Sequence, residues 1–213
     1  MNPGSGKAAR RRELPSRYLI TPQPGEDLRG FVRALQDSLS GLGGRHGEPL
    51  LVQLRVHGLQ AARRDELARE VLRCCRDHGA RLLLGAGAWD GEPAERLCGI
   101  GADGVHLPAR MLESWRAADT PRGQLLAASC HDLAQLLRAR ALGADLVTLS
   151  PVLPTASHPG AATLGWQGLA RLCRDAVPPV YALGGVGPRQ LEAARAAGAH
   201  GVAGIRAFWA GNA

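Results

Sequence analysis

The chain has 213 residues and a mass of 22.4 kDa, enough for one sizeable domain with a large buried core. Hydrophobic residues make up 45% and aromatics 4%, so the core must be built mostly from Leu, Val, Ala and Ile, and no apolar run reaches the roughly 18 residues of a membrane helix. A net charge of +7 invites a nucleic-acid partner, yet the arginines lie on amphipathic helices with acids interleaved (Arg63, Arg64, Arg69, Arg73, Arg76; Arg138, Arg140; Arg189, Arg195) and read as solvated faces. Neither nucleic acid nor membrane is expected as a partner.

The residues Met1–Leu14 read as a disordered basic tail or linker, and Pro15–Ala213 as a single domain. No apolar stretch follows the first basic residues, so no secretory signal is expected. Strand one is expected at Arg17–Thr21, then a turn at Pro22–Gly25 and a helix from Glu26 to Leu42. Strand two spans Pro49–Arg55, with a helix from Ala61 to His78. Strand three, Arg81–Gly85, leads to a short helix at Pro93–Cys98. Strand four, Gly104–Leu107, leads to a helix at Pro108–Ala117, proline suiting a first helical turn. Strand five is Gln124–Ser129, with Asp132–Leu142 as its helix. Strand six, Leu146–Ser150, precedes a long loop and a helix at Trp166–Asp175. Strand seven is Val180–Leu183, backed by Pro188–Ala197. Strand eight is Gly201–Ile205, and Arg206–Trp209 is a stub of a last helix.

One unit recurs. Gly-Ala-Asp-Gly-Val-His-Leu at Gly101–Leu107 returns at Gly143–Leu149 and at Gly198–Gly204, with a fainter copy from Gly79. In each copy a helix ends at a glycine suited to the left-handed position, and an unbroken apolar run follows. Such runs are strands covered on both faces, the mark of a parallel sheet. Eight alternations in about 200 residues indicate a (β/α)8 TIM barrel with a truncated last helix; a doubly wound open sheet shares the local pattern.

A barrel gathers function at the carboxyl ends of its strands. Asp103 and Asp145 precede their strands and are expected to be structural. Lys7, in the tail, is the only lysine, so Schiff-base chemistry is excluded from the folded part. Cys74, Cys75, Cys98, Cys130 and Cys173 form no C-x-x-C pair, which indicates a reduced, cytoplasmic chain with no zinc site. The turn Leu183–Gly187 and the segment from Val202 into a short helix present backbone amides where barrels commonly bind phosphate, through amides and helix dipole together. Ser150–His158 is a stiff loop carrying Thr155, Ser157 and His158. Ser129, Cys130 and His131 bring a hydroxyl, a thiol and an imidazole to the rim; His131 is either an acid/base or a cap for the following helix, and Cys130 reads as a packing residue. His106 reads as a hydrogen-bonded core histidine. Gln53 and Arg55 share one side of strand two, and an arginine aimed into a barrel mouth calls for an anion.

Together these segments resemble the thiamine phosphate synthase / TenI family of barrels, over Arg17 to Phe208. The resemblance rests on Tyr18-Leu19-Ile20-Thr21, Val52-Gln53-Leu54-Arg55, Gly101–Leu107, Ser129-Cys130-His131, Gly143-Ala144-Asp145 with Ser150–Thr155, and Ala182–Val186 with Gly201–Ile205. It implies a catalytic histidine at His131. It also implies a ligand or phosphate site made by Gln53, Arg55, Ser129, Thr155, His158, Gly184, Gly185, Ala203 and Gly204. In the synthases two acidic positions hold magnesium beside a pyrimidine pyrophosphate. Here Gly85-Ala86 and Pro108-Ala109-Arg110-Met111 stand there, and two synthase lysines are replaced by His57 and His158. The loss argues against magnesium-dependent thiamine phosphate synthesis, and no metal or other cofactor is expected.

The resemblance then implies a metal-independent, TenI-like isomerase of a thiazole phosphate acting through His131. Two alternatives stay open: a non-catalytic module binding thiazole or thiamine phosphate beside a Nudix hydrolase partner, and a degraded synthase. No Nudix box occurs in this chain. Oligomeric state, a homo-oligomer included, is left open by the residues.

Overall fold

The structure, a computed structural model, describes residues 14–43, 49–89, 99–121, 123–155, 160, 162–176 and 178–211. Eight strands run in chain order: β1 (Arg17–Ile20), β2 (Leu51–Leu54), β3 (Arg81–Gly85), β4 (Gly104–Leu107), β5 (Leu125–Cys130), β6 (Leu146–Leu149), β7 (Val180–Ala182) and β8 (Gly201–Gly204). Each pairs in parallel with the next, and β8 returns to β1, so the sheet is a closed barrel. The α-helices among the described residues are α1 (Leu28–Leu42), α2 (Ala61–Asp77), α3 (Leu133–Ala141), α4 (Gly165–Asp175) and α5 (Leu191–Ala196). None of them is long and apolar enough to cross a membrane. The helix expected at Pro93–Cys98 lies outside the described residues.

The recurrent unit has a physical basis. Gly79, Gly143 and Gly198 sit at φ 64°, 78° and 85°, and each donates its amide to a carbonyl of the last helical turn (Arg76, Arg140 and Arg195). The next residue, Ala80, Ala144 or Ala199, reaches five residues back at 2.8–2.9 Å, which completes the helix-ending motif. Asp103 and Asp145 then latch the preceding strand: Leu82 N donates to Asp103 Oδ2 at 2.8 Å, and Leu126 N to Asp145 Oδ2 at 2.9 Å. The structural role expected of both carboxylates is the one observed.

Strand residues alternate between two cores. Tyr18, Ile20, Leu51, Leu83, Leu125, Leu146, Tyr181 and Ala203 fill the barrel interior, while Leu19, Val52, Leu54, Leu82 and Leu84 pack outward beneath the helices. Leu14, the last residue of the expected tail, is instead buried in the interior cluster, and its carbonyl accepts from His200 Nε2 at 2.9 Å. In place of a full eighth helix, Phe208 is buried and the Trp209 ring lies 5.1 Å from that of Phe31 on α1.

Three expectations need correction. Pro108–Ala117 is not a helix: it forms two single 3-10 turns, Ala109–Met111 and Ala117–Asp119. Arg138 holds it in that shape by donating to the carbonyls of Leu112, Glu113 and Trp115 at 3.0–3.2 Å, so Arg138 is not a solvated residue. Nor is Arg64, which is only 7% exposed. It pairs with Asp65 at 3.1 Å, donates to Ala88 O at 2.8 Å and lies 4.8 Å from the centre of the Trp89 ring. Helix α2 thereby pins the loop that follows β3.

Candidate functional site

Two cavities open at the carboxyl ends of the strands and share Leu183 and Ile205. The larger, about 480 Å³, is lined by His131 after β5, Ser150 to Thr155 after β6, the turn after β7 and Gly204–Ala207 after β8. The smaller, about 220 Å³, is lined by Gln53 of β2 with Arg55 and His57 just after it, Gly85 of β3 with Gly87 after it, His106 and Arg110 from the β4 unit, and Ser129 of β5.

In the larger cavity the β7 turn is made possible by its glycines. Gly184 and Gly185 have φ 90° and 69°, a region closed to most side chains. A Cβ on Gly184 would lie 2.8 Å from Pro151 Cα, and one on Gly185 would lie 2.7 Å from Leu153 Cβ. The β6 loop therefore seats directly on the turn, held by Val152 N to Leu183 O and Leu153 N to Gly184 O, both 2.9 Å. Among the described residues the amides of Gly184, Gly185 and Val186 have no protein acceptor, whereas Gly187 N donates to Gln190 Oε1 at 2.8 Å. The short helix expected after β8 is one 3-10 turn, Arg206–Phe208, too short to add an appreciable dipole.

His131 stands at the edge of this cavity. Its Nδ1 is 2.8 Å from the Ser150 carbonyl, which can only accept, so Nδ1 carries a proton and donates it there. Its backbone amide donates to Gln135 Oε1 at 2.8 Å, fastening the residue to α3.

A buried relay crosses the floor of the smaller cavity. Tyr18 Oη lies 2.7 Å from His106 Nδ1, and His106 Nε2 lies 2.8 Å from Ser129 Oγ. Burial holds the His106 pKa down to about 3, so the ring is neutral. Tyr18, fully buried, has Nδ1 as its acceptor. That assigns the other proton to Nε2, which donates to Ser129 and turns the serine hydroxyl's own hydrogen toward the cavity. His106 is thus the hydrogen-bonded core histidine expected, and it also orients a rim hydroxyl. Cys130 is buried with its thiol pushed up to about 12, in keeping with a packing role.

The expected site residues thus divide. Gln53, Arg55 and Ser129 gather at the smaller cavity; His131, Thr155, Gly184, Gly185 and Gly204 gather at the larger. Ala203 belongs to neither. It is buried in the barrel interior, because on a short strand the neighbour of a rim residue faces the other way. His158 lies outside the described residues. Sequence reasoning passed over Arg110, His57 and Gln190 as site residues. Arg110 was hidden by reading Pro108 as a helix start, although its position just past the carboxyl end of β4 was a usable signal.

The residues do not fit a bound magnesium ion. Gly85-Ala86 and Pro108-Ala109-Arg110-Met111 stand where the resemblance places the two synthase carboxylates, and no Asp or Glu among the described residues lines either cavity. Nor do the described residues include a group of three His, Cys, Asp or Glu able to hold a metal.

The profile of the family described as thiamine monophosphate synthase matches residues 17–208. The chain belongs to that family. It is 33% identical over 198 residues to an Aquifex aeolicus protein named "Putative thiamine-phosphate synthase 2", covering 92% of this chain and 98% of the relative. It is 31% identical over 208 residues to a Synechococcus "Thiamine-phosphate synthase", covering 96% of this chain and 56% of that one. The thiamine phosphate pyrophosphorylase structure from Pyrococcus furiosus superposes with a TM-score of 0.65 at 21% identity, over 92% of this chain and 87% of that one, and so shares the fold.

These names overturn the expectation of an isomerase in which synthase activity is lost. That expectation rested on the loss of two metal-binding carboxylates and two lysines, and gave no weight to Arg110. The structure brings arginine to the same rim.

Proposed function

We propose that the chain is a thiamine-phosphate synthase: it joins a thiazole phosphate to a pyrimidine pyrophosphate and releases pyrophosphate. The observation that carries this reading is a pair of cavities at one rim that share Leu183 and Ile205 in their linings, each suited to one phosphorylated partner. The larger offers the glycine amides of the β7 turn to the thiazole's phosphate. The smaller offers Arg55, Arg110, His57 and the Ser129 hydroxyl to the pyrophosphorylated pyrimidine. Holding the two reactants across one wall converts an encounter in solution into a reaction between neighbours. His131, at the edge of the thiazole cavity, makes a hydrogen bond to that substrate through its imidazole and keeps it facing the wall.

The test is direct. Purified protein supplied with both substrates forms thiamine phosphate and pyrophosphate, followed chromatographically beside a competent synthase. Saturable binding of both substrates with no product would leave a binding module and overturn the synthase reading. The same chemistry calls for a soluble cytoplasmic setting, where such phosphorylated precursors are found.

A further inference from the structure

We propose that the smaller cavity holds its anion directly on the guanidinium groups of Arg55 and Arg110, and that no divalent cation takes part in binding there. The inference rests on the assignment of the pyrophosphorylated substrate to that cavity.

Three observations converge on it. The first is steric. A Cβ on Gly87 would lie 2.6 Å from Arg110 Nη2, 3.2 Å from Nη1 and 3.4 Å from Cζ, so the guanidinium lies against bare backbone. The loop after β3 and the turn after β4 are where the resemblance places the two carboxylates that this chain lacks. In this chain the two interlock, with glycine making room and arginine filling it. The fit is held in place from behind, because Arg64 bonds Ala88 O at 2.8 Å and packs on Trp89.

The second is charge. Arg55 and Arg110 line one cavity of about 220 Å³, no carboxylate among the described residues lines it, and neither arginine is ion-paired among those residues. Cations sharing a small space repel each other and would repel a magnesium ion as well; an anion carrying two phosphates relieves the repulsion. The planar fork of arginine suits bidentate contact with phosphate oxygens.

The third comes from His57, a neighbour on the same wall. Its pKa is lowered by burial, then by Arg55, then by Arg110, so the imidazole feels both guanidinium groups at once. Positive charge from two separate βα units is therefore focused on one spot.

The experiment is calorimetric titration of the full chain with inorganic pyrophosphate, once with a chelator present and once with excess magnesium. Saturable binding is expected in the chelator, and magnesium is expected not to tighten it. Arg110→Ala should weaken binding about tenfold or more, as losing a charge-assisted hydrogen bond does. Gly87→Ala, which pushes the guanidinium aside, should weaken it in the same direction, with thermal melting confirming that both variants remain folded. Binding that appears only with magnesium, or that is unchanged in folded Arg110→Ala protein, overturns the inference and leaves the substrate assignment standing. Absence of pyrophosphate binding under both conditions removes the assignment itself, and the inference with it.

Discussion

His106 and Ser129 are joined at 2.8 Å, imidazole Nε2 to hydroxyl Oγ, across the β4–β5 pairing at the floor of the smaller cavity. Because Tyr18 occupies the other ring nitrogen, the serine hydroxyl accepts from Nε2, which leaves its own hydrogen for another acceptor. Ser129→Ala should weaken binding of the pyrimidine pyrophosphate by about twofold to tenfold, the range of one neutral hydrogen bond. Ser129→Thr, which keeps the hydroxyl, should recover most of it. Calorimetric titration of the three proteins checks this; equal affinities would rule out a ligand contact at Ser129.

The same relay makes stability depend on pH. His106 is held neutral down to about pH 3, against an ordinary value of 6.5. Between those values the unfolded chain binds a proton that the folded chain refuses. Its contribution is therefore intact above pH 6.5 and lost as the pH falls toward 3, by about 1.4 kcal/mol per pH unit. Urea unfolding from pH 7 to pH 4 should show this loss, and His106→Gln should flatten that part of the curve.

Gly185 combines φ 69° with no room for a side chain against Leu153 and Pro154. Gly185→Ala should destabilise the fold by about 1–3 kcal/mol through strain alone. It should also abolish binding of the thiazole phosphate while pyrophosphate still binds the smaller cavity. Paired titrations with the two ligands separate this local effect from a general loss of structure.

The Arg64–Asp65 pair is buried, with side chains 9% exposed on each side. Arg64→Ala would remove the guanidinium paired with buried Asp65, at a cost of about 3 kcal/mol. It would also release the loop that carries Gly87, so pyrophosphate binding should fall together with the unfolding midpoint. A variant of unchanged stability would show that the ion pair does not hold this loop.

The strands were legible because their signals are local. β3 and β4 fall where the chain pattern places them, at Arg81–Gly85 and Gly104–Leu107, since a left-handed glycine stops a helix at a definite residue. The other strands end within two residues of expectation. The helix expected from Pro108 failed for a reason no local pattern carries. Its carbonyls are bonded by Arg138, a residue of the next helix. Arg64 was misread similarly: helical spacing placed it among surface arginines, whereas Asp65 and Trp89 hold it inside.

The sequence by itself determined the barrel, the rim that carries the candidate site, and the glycine turn after β7. Each depends on backbone conformations and apolar periods that a few neighbouring residues dictate. Only the tertiary structure decided that the rim is split into two cavities, that Ala203 faces the interior, and that Arg110 rests on Gly87. Those facts depend on closure of the sheet, which brings side chains from separate βα units within contact distance and sets the direction each one faces.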